Sequence, residues 1–129
     1  MENWVLVVED HADTRDALIE LLNGAGFAAL GAASVAEALT LMVEKHPALV
    51  ITDIMLGARD GDELFDMAKD RLGPQAPSFV FISGMPASQM MVPASVSFFR
   101  KPLDLEALLD CVAKYCHPAK RTRSAFGRQ

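Results

Sequence analysis

The sequence predicts one α/β domain, doubly wound around a five-stranded parallel sheet. Four runs, residues 4–8, 49–52, 79–82 and 96–99, are near-continuously apolar, as strands buried on both faces should be. Segments with helical periodicity separate them, and this alternation yields a parallel sheet covered by helices. The length of 129 residues suits a single core, which usually occupies about 100–150 residues.

Each element follows from local signals. Residues 14–23 read as the first helix, with Ala17, Leu18, Leu21 and Leu22 as its apolar stripe and Gly24 as its stop. A modest second strand is expected over residues 28–32. Ser34 and Glu37 then form a capping box for a helix reaching Lys45, and Pro47 blocks its continuation. The central strand ends at Asp53, and a third helix over residues 61–72 is stopped by Gly73 and Pro74. Between Met85 and Pro93 there is room for only about two turns, so the fourth helix is expected to be short or irregular. Asp104 caps the last helix, whose stripe is expected to comprise Leu105, Leu108, Leu109, Val112 and Tyr115. Right-handed crossovers give the strand order 2-1-3-4-5, with the topological switch between the first and third strands.

Composition narrows the class further. At 51% hydrophobic and 22% charged residues the chain has ordinary globular composition, without a run of about 18 apolar residues to span a bilayer. The first apolar run is too short for a signal peptide, so a cytoplasmic location without membrane association is expected. Cys111 and Cys116 lie five apart and point about 140° apart on a helix, which argues for buried or part-buried free thiols rather than a disulfide. The net charge is −5, and Lys120, Arg121, Arg123 and Arg128 occur in a C-terminal segment without acids. Removing those four positive charges leaves residues 1–116 at −9, which argues against direct nucleic-acid binding. Residues 1–116 are therefore expected to form the domain, and 117–129 a basic tail or linker that opens with the helix-breaking His117-Pro118.

The four apolar runs each lead into a residue suited to phosphoryl chemistry. Glu9 and Asp10 follow the first strand and Asp53 ends the third, so three carboxylates flank the switch crevice. Carboxylates crowded together repel one another without a cation, and hard oxygen donors suit Mg2+ better than zinc. A carboxylate attacking phosphorus forms an acyl phosphate and needs positive charge near the transferring oxygens. Lys101 supplies such a charge, and Ser83 supplies a hydroxyl donor. Taken alone, Ser83-Gly84 is a turn signal and Lys101 a surface lysine; their order along the chain is what joins them to the acids.

These residues resemble the receiver domain of two-component response regulators, over residues 4–116. The resemblance rests on Val7-Val8-Glu9-Asp10, on Thr52-Asp53-Ile54-Met55-Leu56, on Asp60-Gly61, on Phe81-Ile82-Ser83-Gly84 and on Phe99-Arg100-Lys101-Pro102. It implies a flavodoxin-like fold in which Asp53 accepts a phosphoryl group from a histidine kinase or histidine phosphotransfer protein. It further implies that Glu9, Asp10, Asp53 and the Met55 backbone carbonyl hold Mg2+, that Ser83 and Lys101 contact the phosphate, and that the Lys101-Pro102 bond is cis. Phe98, three residues before the lysine, stands where the family's switch aromatic stands, without the hydroxyl of the commoner tyrosine; it also reads as plain strand core. The implied outcome is altered binding to a downstream protein target, including a phosphorylation-dependent homodimer, with no enzymatic turnover beyond self-phosphorylation and slow autodephosphorylation.

Three features depart from the family pattern. Gly57 replaces a frequent proline, the stretch from Ser83 to Lys101 is a few residues short, and Met85, Met90 and Met91 gather within it. Two other readings stay open. One is a phosphorylation-independent protein-binding module of the same fold. The other is a magnesium-dependent phosphatase with an aspartyl intermediate, which the apolar Met55 two residues after Asp53 disfavours, since a second acid is wanted there. His11, beside the acid pair, reads as a loop histidine, and His46 as a residue near a helix end.

Overall fold

The computed structural model describes residues 2–56, 59–84 and 96–118. Its main sheet contains β1 (Glu2–Val8), β2 (Ala29–Ala32), β3 (Pro47–Asp53), β6 (Ser78–Ser83) and β7 (Ser97–Arg100), all parallel, in the spatial order β2-β1-β3-β6-β7. In chain order of these five strands this is 2-1-3-4-5, the doubly wound flavodoxin-like arrangement. A separate two-residue antiparallel ladder joins β4 (Met55–Leu56) to β5 (Arg59–Asp60). The described helices are α1 (Ala12–Gly24), α2 (Val35–Lys45), α3 (Gly61–Leu72) and α4 (Leu105–Val112). The expected helix near Met85–Pro93, with its three methionines, and Gly57 lie outside the described residues.

Period-two alternation sorts the strand residues into two cores. Leu6, Val8, Val50, Phe79 and Phe81 face α2 and α3, where Leu39, Met42, Leu64 and Ala68 close the layer. Val5, Val7, Leu49, Ile51, Val80 and Ile82 face the other way, toward Leu18 and Leu22 of α1 and Leu108, Cys111 and Val112 of α4. Because both faces are covered, the buried middles of the strands are apolar and polar side chains collect at the strand ends. Phe65 of α3 meets Phe79 edge-on at 5.1 Å between ring centroids, a favoured aromatic geometry.

Several local expectations need correction. Helix α1 begins at Ala12 and ends at Gly24, but Gly26, at φ 96°, rather than Gly24, adopts the left-handed conformation. Ala17 is exposed and Leu21 only half-buried; the inward face is Leu18 and Leu22, with Ile19 packing beside them. On the last helix, Leu105 and Tyr115 are exposed. The helix proper stops at Val112 and a looser turn follows, so the helical period does not carry inward to Tyr115. The cysteines take that place instead, both buried and both free. The capping box at Ser34 forms, with the hydroxyl accepting from the Glu37 amide at 3.2 Å. Glu37 reaches back to the Ala33 amide at 2.8 Å, one residue earlier than the usual reciprocal partner.

Candidate functional site

Strand register assembles the site. Val8 pairs with Thr52 across β1 and β3, so Glu9 and Asp10 leave the sheet next to Asp53. Asp53 pairs with Ile82, and Ser83 pairs with Arg100. Ser83 and Lys101 therefore emerge on the same edge as the acids, at the carboxyl ends where doubly wound folds place ligands. Backbone hydrogen bonds pin the loops there: the Ile54 amide donates to Ile82 O at 3.0 Å, the Lys101 amide to Ser83 O at 2.8 Å, and the Gly61 amide to Ile54 O at 2.6 Å.

Lys101 Nζ donates to Asp53 Oδ2 at 2.7 Å, an ion pair whose lysine side chain is 41% and aspartate side chain 12% exposed. The hydrogen bond to Asp53 raises the lysine pKa, opposed by partial burial and aided by Asp53's charge. Asp53 O also accepts from the buried Thr52 hydroxyl at 2.9 Å. Ser83 is buried at the end of β6, and Phe98 is half-buried on the core face that α2 and α3 cover. The Lys101-Pro102 bond is cis. Met55 opens β4 two residues beyond Asp53, beside Ile54.

The acid pair is divided by environment. Glu9 is 3% exposed, and burial first of all, with contributions from Asp10 and Asp53, pushes its carboxyl above the usual range despite hydrogen bonds from His11. Asp10 is exposed; slight burial pushes its carboxyl up, but bonding with Glu9 and the nearby His11 charge hold it lower overall. A buried carboxylate beside two further acids is costly without a cation. The all-oxygen set of Glu9, Asp10 and Asp53 fits a hard divalent ion such as Mg2+.

Four further residues make contacts at the site that residue types along the chain do not give. His11 Nδ1 lies 3.2 Å from Glu9 Oε2 and 3.3 Å from Asp10 Oδ1, and its amide donates to Glu9 Oε2 at 3.1 Å. Arg15 Nη1 donates to Glu9 O at 2.9 Å, fastening the end of β1 to α1. Thr52 anchors the Asp53 carbonyl, and Gly61 lets the start of α3 approach it, since a β-carbon there would stand 2.6 Å from Asp53 O. A threonine ending an otherwise apolar strand and a glycine opening a helix were signals open to reading; the contact of Arg15 was not.

The family model described as the response regulator receiver domain matches residues 5–113. Among solved structures, a response regulator receiver protein from Pseudomonas putida is 34% identical with a TM-score of 0.77, covering 88% of this chain and 98% of that one. The receiver domain from the hybrid histidine kinase CckA is 31% identical at a TM-score of 0.71, covering 86% and 96% respectively. The response regulator protein FleR of Pseudomonas aeruginosa is 31% identical over 116 residues; the match covers 86% of this chain but only 24% of FleR.

Proposed function

Since this chain belongs to the response regulator receiver domain family of two-component signalling, we propose that it works as a phosphoacceptor, with Asp53 as the phosphorylated residue and protein binding as the output. The observation that carries this reading is the 2.7 Å pair between Lys101 Nζ and Asp53 Oδ2 beside a crowded acid pair. A carboxylate, a lysine amine and an acid pair lying together are what this reading requires.

In this reading a phosphohistidine on a histidine kinase or phosphotransfer protein is the donor. A carboxylate oxygen of Asp53 attacks phosphorus, the P–N bond breaks, and the imidazole leaves with the bonding pair and takes up a proton. Glu9, Asp10, Asp53 and the Met55 carbonyl would hold Mg2+, which supplies charge neutralisation for the phosphoryl oxygens when bound. Lys101 holds the carboxylate before transfer and a phosphoryl oxygen afterwards. Ser83 donates its hydroxyl to another oxygen, and Phe98 follows by repacking on the strand face. A new dianion biasing a packed element is a sufficient switch. The conformational consequence is a changed affinity for a downstream protein, without turnover of an external substrate. Residues 1–116 form the signalling unit, and 117–129 a basic tail or linker.

Intact mass after incubation with acetyl phosphate and Mg2+ tests the chemistry. One phosphoryl addition is expected, absent in Asp53→Asn and in chelator. If Mg2+ binds and no addition occurs with this or a second small phosphodonor, the domain is instead a constitutive binding module.

A further inference from the structure

The histidine next to the acid pair gives this receiver a donor that oxygen-only sites lack. We propose that His11 is a further protein ligand to the cation, adding a ring nitrogen beside Glu9 and Asp10 in a mixed nitrogen–oxygen site that admits transition ions such as Ni2+ and Zn2+ as well as Mg2+. This rests on the phosphoacceptor reading for its place in signalling, but not for its geometry.

Three observations support it. The ring Nδ1 and one oxygen from each acid lie within 4.8 Å of one another, and the imidazole-to-carboxylate separations are 3.2 and 3.3 Å. Neighbouring ligands of an octahedral ion with bonds of about 2.1–2.3 Å lie about 3.0–3.3 Å apart. Second, Glu9 is buried to 3% exposure, and among the described residues its carboxylate is met by the amide and ring of His11 rather than by a lysine or an arginine. A buried acid aimed at a cluster without a fixed cation is suited to receive one. Third, the loop is held independently of the ring: the Arg15 amide donates to His11 O at 2.9 Å, and Arg15 Nη1 holds Glu9 O. The ring itself is 79% exposed, so an ion reaches Nδ1 from solvent.

Donor chemistry then sets the selectivity. Mg2+ strongly prefers oxygen, whereas imidazole suits nickel and zinc, and the general order of affinities already favours nickel over lighter divalent metals. A transition ion seated here would occupy the position beside Asp53 in place of Mg2+, so phosphoryl acceptance becomes sensitive to the metal supplied.

Calorimetric titration of the full chain with MgCl2 and with NiCl2 separates the cases, using wild type, His11→Ala and Asp10→Asn. The expected result is a loss of at least about tenfold in Ni2+ affinity for His11→Ala, a change of under about threefold for Mg2+, and weakened binding of both ions by Asp10→Asn. In wild type, Zn2+ should shift the His11 ring proton resonances at one equivalent, a readout that needs no variant. An equal loss for both ions would make His11 a loop-positioning residue, and an equal gain would make it a built-in counter-charge; either overturns the proposal, as does unchanged Ni2+ affinity. The acetyl phosphate experiment uses Mg2+ alone, so its failure leaves the Ni2+ to Mg2+ comparison readable, and the reverse also holds.

Discussion

The Glu9 carboxyl, buried at the end of β1, has its pKa raised chiefly by burial, with Asp10 and Asp53 adding to the effect. For an acid, a raised folded value means the native chain holds the proton more tightly than the unfolded chain. The ionised form therefore costs stability at neutral pH, and the cost disappears below the unfolded value of about 4.3. Glu9→Gln keeps an acceptor for the His11 amide and removes the charge. In chelator at pH 7 it should gain about 1–2 kcal/mol, and the gain should shrink as pH falls toward about 4.3. Saturating Mg2+ should reverse the order, because mass action stabilises only the chain that binds it well; scanning calorimetry with and without the ion reads both effects. At Lys101 the sign differs. Its raised folded pKa, due first to the Asp53 hydrogen bond, means the pair contributes fully below about 10.4 and is lost as pH rises through the folded value. The lysine is substantially exposed, so the contribution is small. Urea midpoints of wild type and Lys101→Gln should converge at high pH.

The glycines at element ends separate what the sequence made legible from what it did not. Glu9, Asp10, Asp53, Ser83 and Lys101 could be placed because each follows an apolar run, and parallel pairing brings strand ends together whatever the loops do. Asp60-Gly61 was legible as a helix start, but not as a contact. A β-carbon at Gly61 would meet Asp53 O at 2.6 Å, Ile54 Cα at 3.1 Å and Thr52 Oγ1 at 3.2 Å, and two of these are backbone atoms that yield little. A β-carbon at Gly31 on β2 would instead meet Ile19 Cδ1 at 2.8 Å and Arg15 Cδ at 2.9 Å, which belong to flexible side chains. A β-carbon at Gly84 would meet nothing within 4 Å beyond its chain neighbours. Alanine at these positions should thus cost about 2–4 kcal/mol at Gly61, about 1 kcal/mol at Gly31, and within about 0.5 kcal/mol of nothing at Gly84. Denaturant unfolding ranks them, and an equal cost at Gly61 and Gly84 would refute the steric account. Gly31→Ala should also weaken cation binding, because the displaced Arg15 holds the Glu9 carbonyl. Such side-chain routing across α1 and β2 has no one-dimensional signature. The stripe of α4 departs from its hydrophobic pattern for a related reason: hydrophobicity nominates Tyr115, but the helix ends at Val112 and the buried Cys116 packs inward instead.

Across the whole molecule, the two ends of the described chain are tied together. Asn3 Nδ2 donates to His117 O at 2.8 Å and the His117 amide donates to Asn3 Oδ1 at 2.7 Å, while Cys116 Sγ lies 3.7 Å from Trp4 O. The side chain of one residue thereby pairs with both backbone groups of another 114 positions away, locking the end of α4's turn onto the first strand. His117 is thereby held against the first strand. This clasp seals Cys116, which is 1% exposed and whose thiol is pushed up in pKa by burial. Since only the thiolate reacts with disulfide reagents, Cys116 should be nearly inert in the native protein. Asn3→Ala removes both clasp bonds. Being exposed, they should cost only about 0.5–1.5 kcal/mol, a modest change in unfolding midpoint. Local opening at the seam depends exponentially on that same difference, so reaction of Cys116 with a disulfide reagent should speed up by roughly threefold to tenfold, and exchange of the His117 amide with it. Cys111, packed against the sheet inside α4, should keep its wild-type rate. Equal acceleration at both cysteines would mean that the substitution loosens the whole fold and that the clasp is no separate local unit.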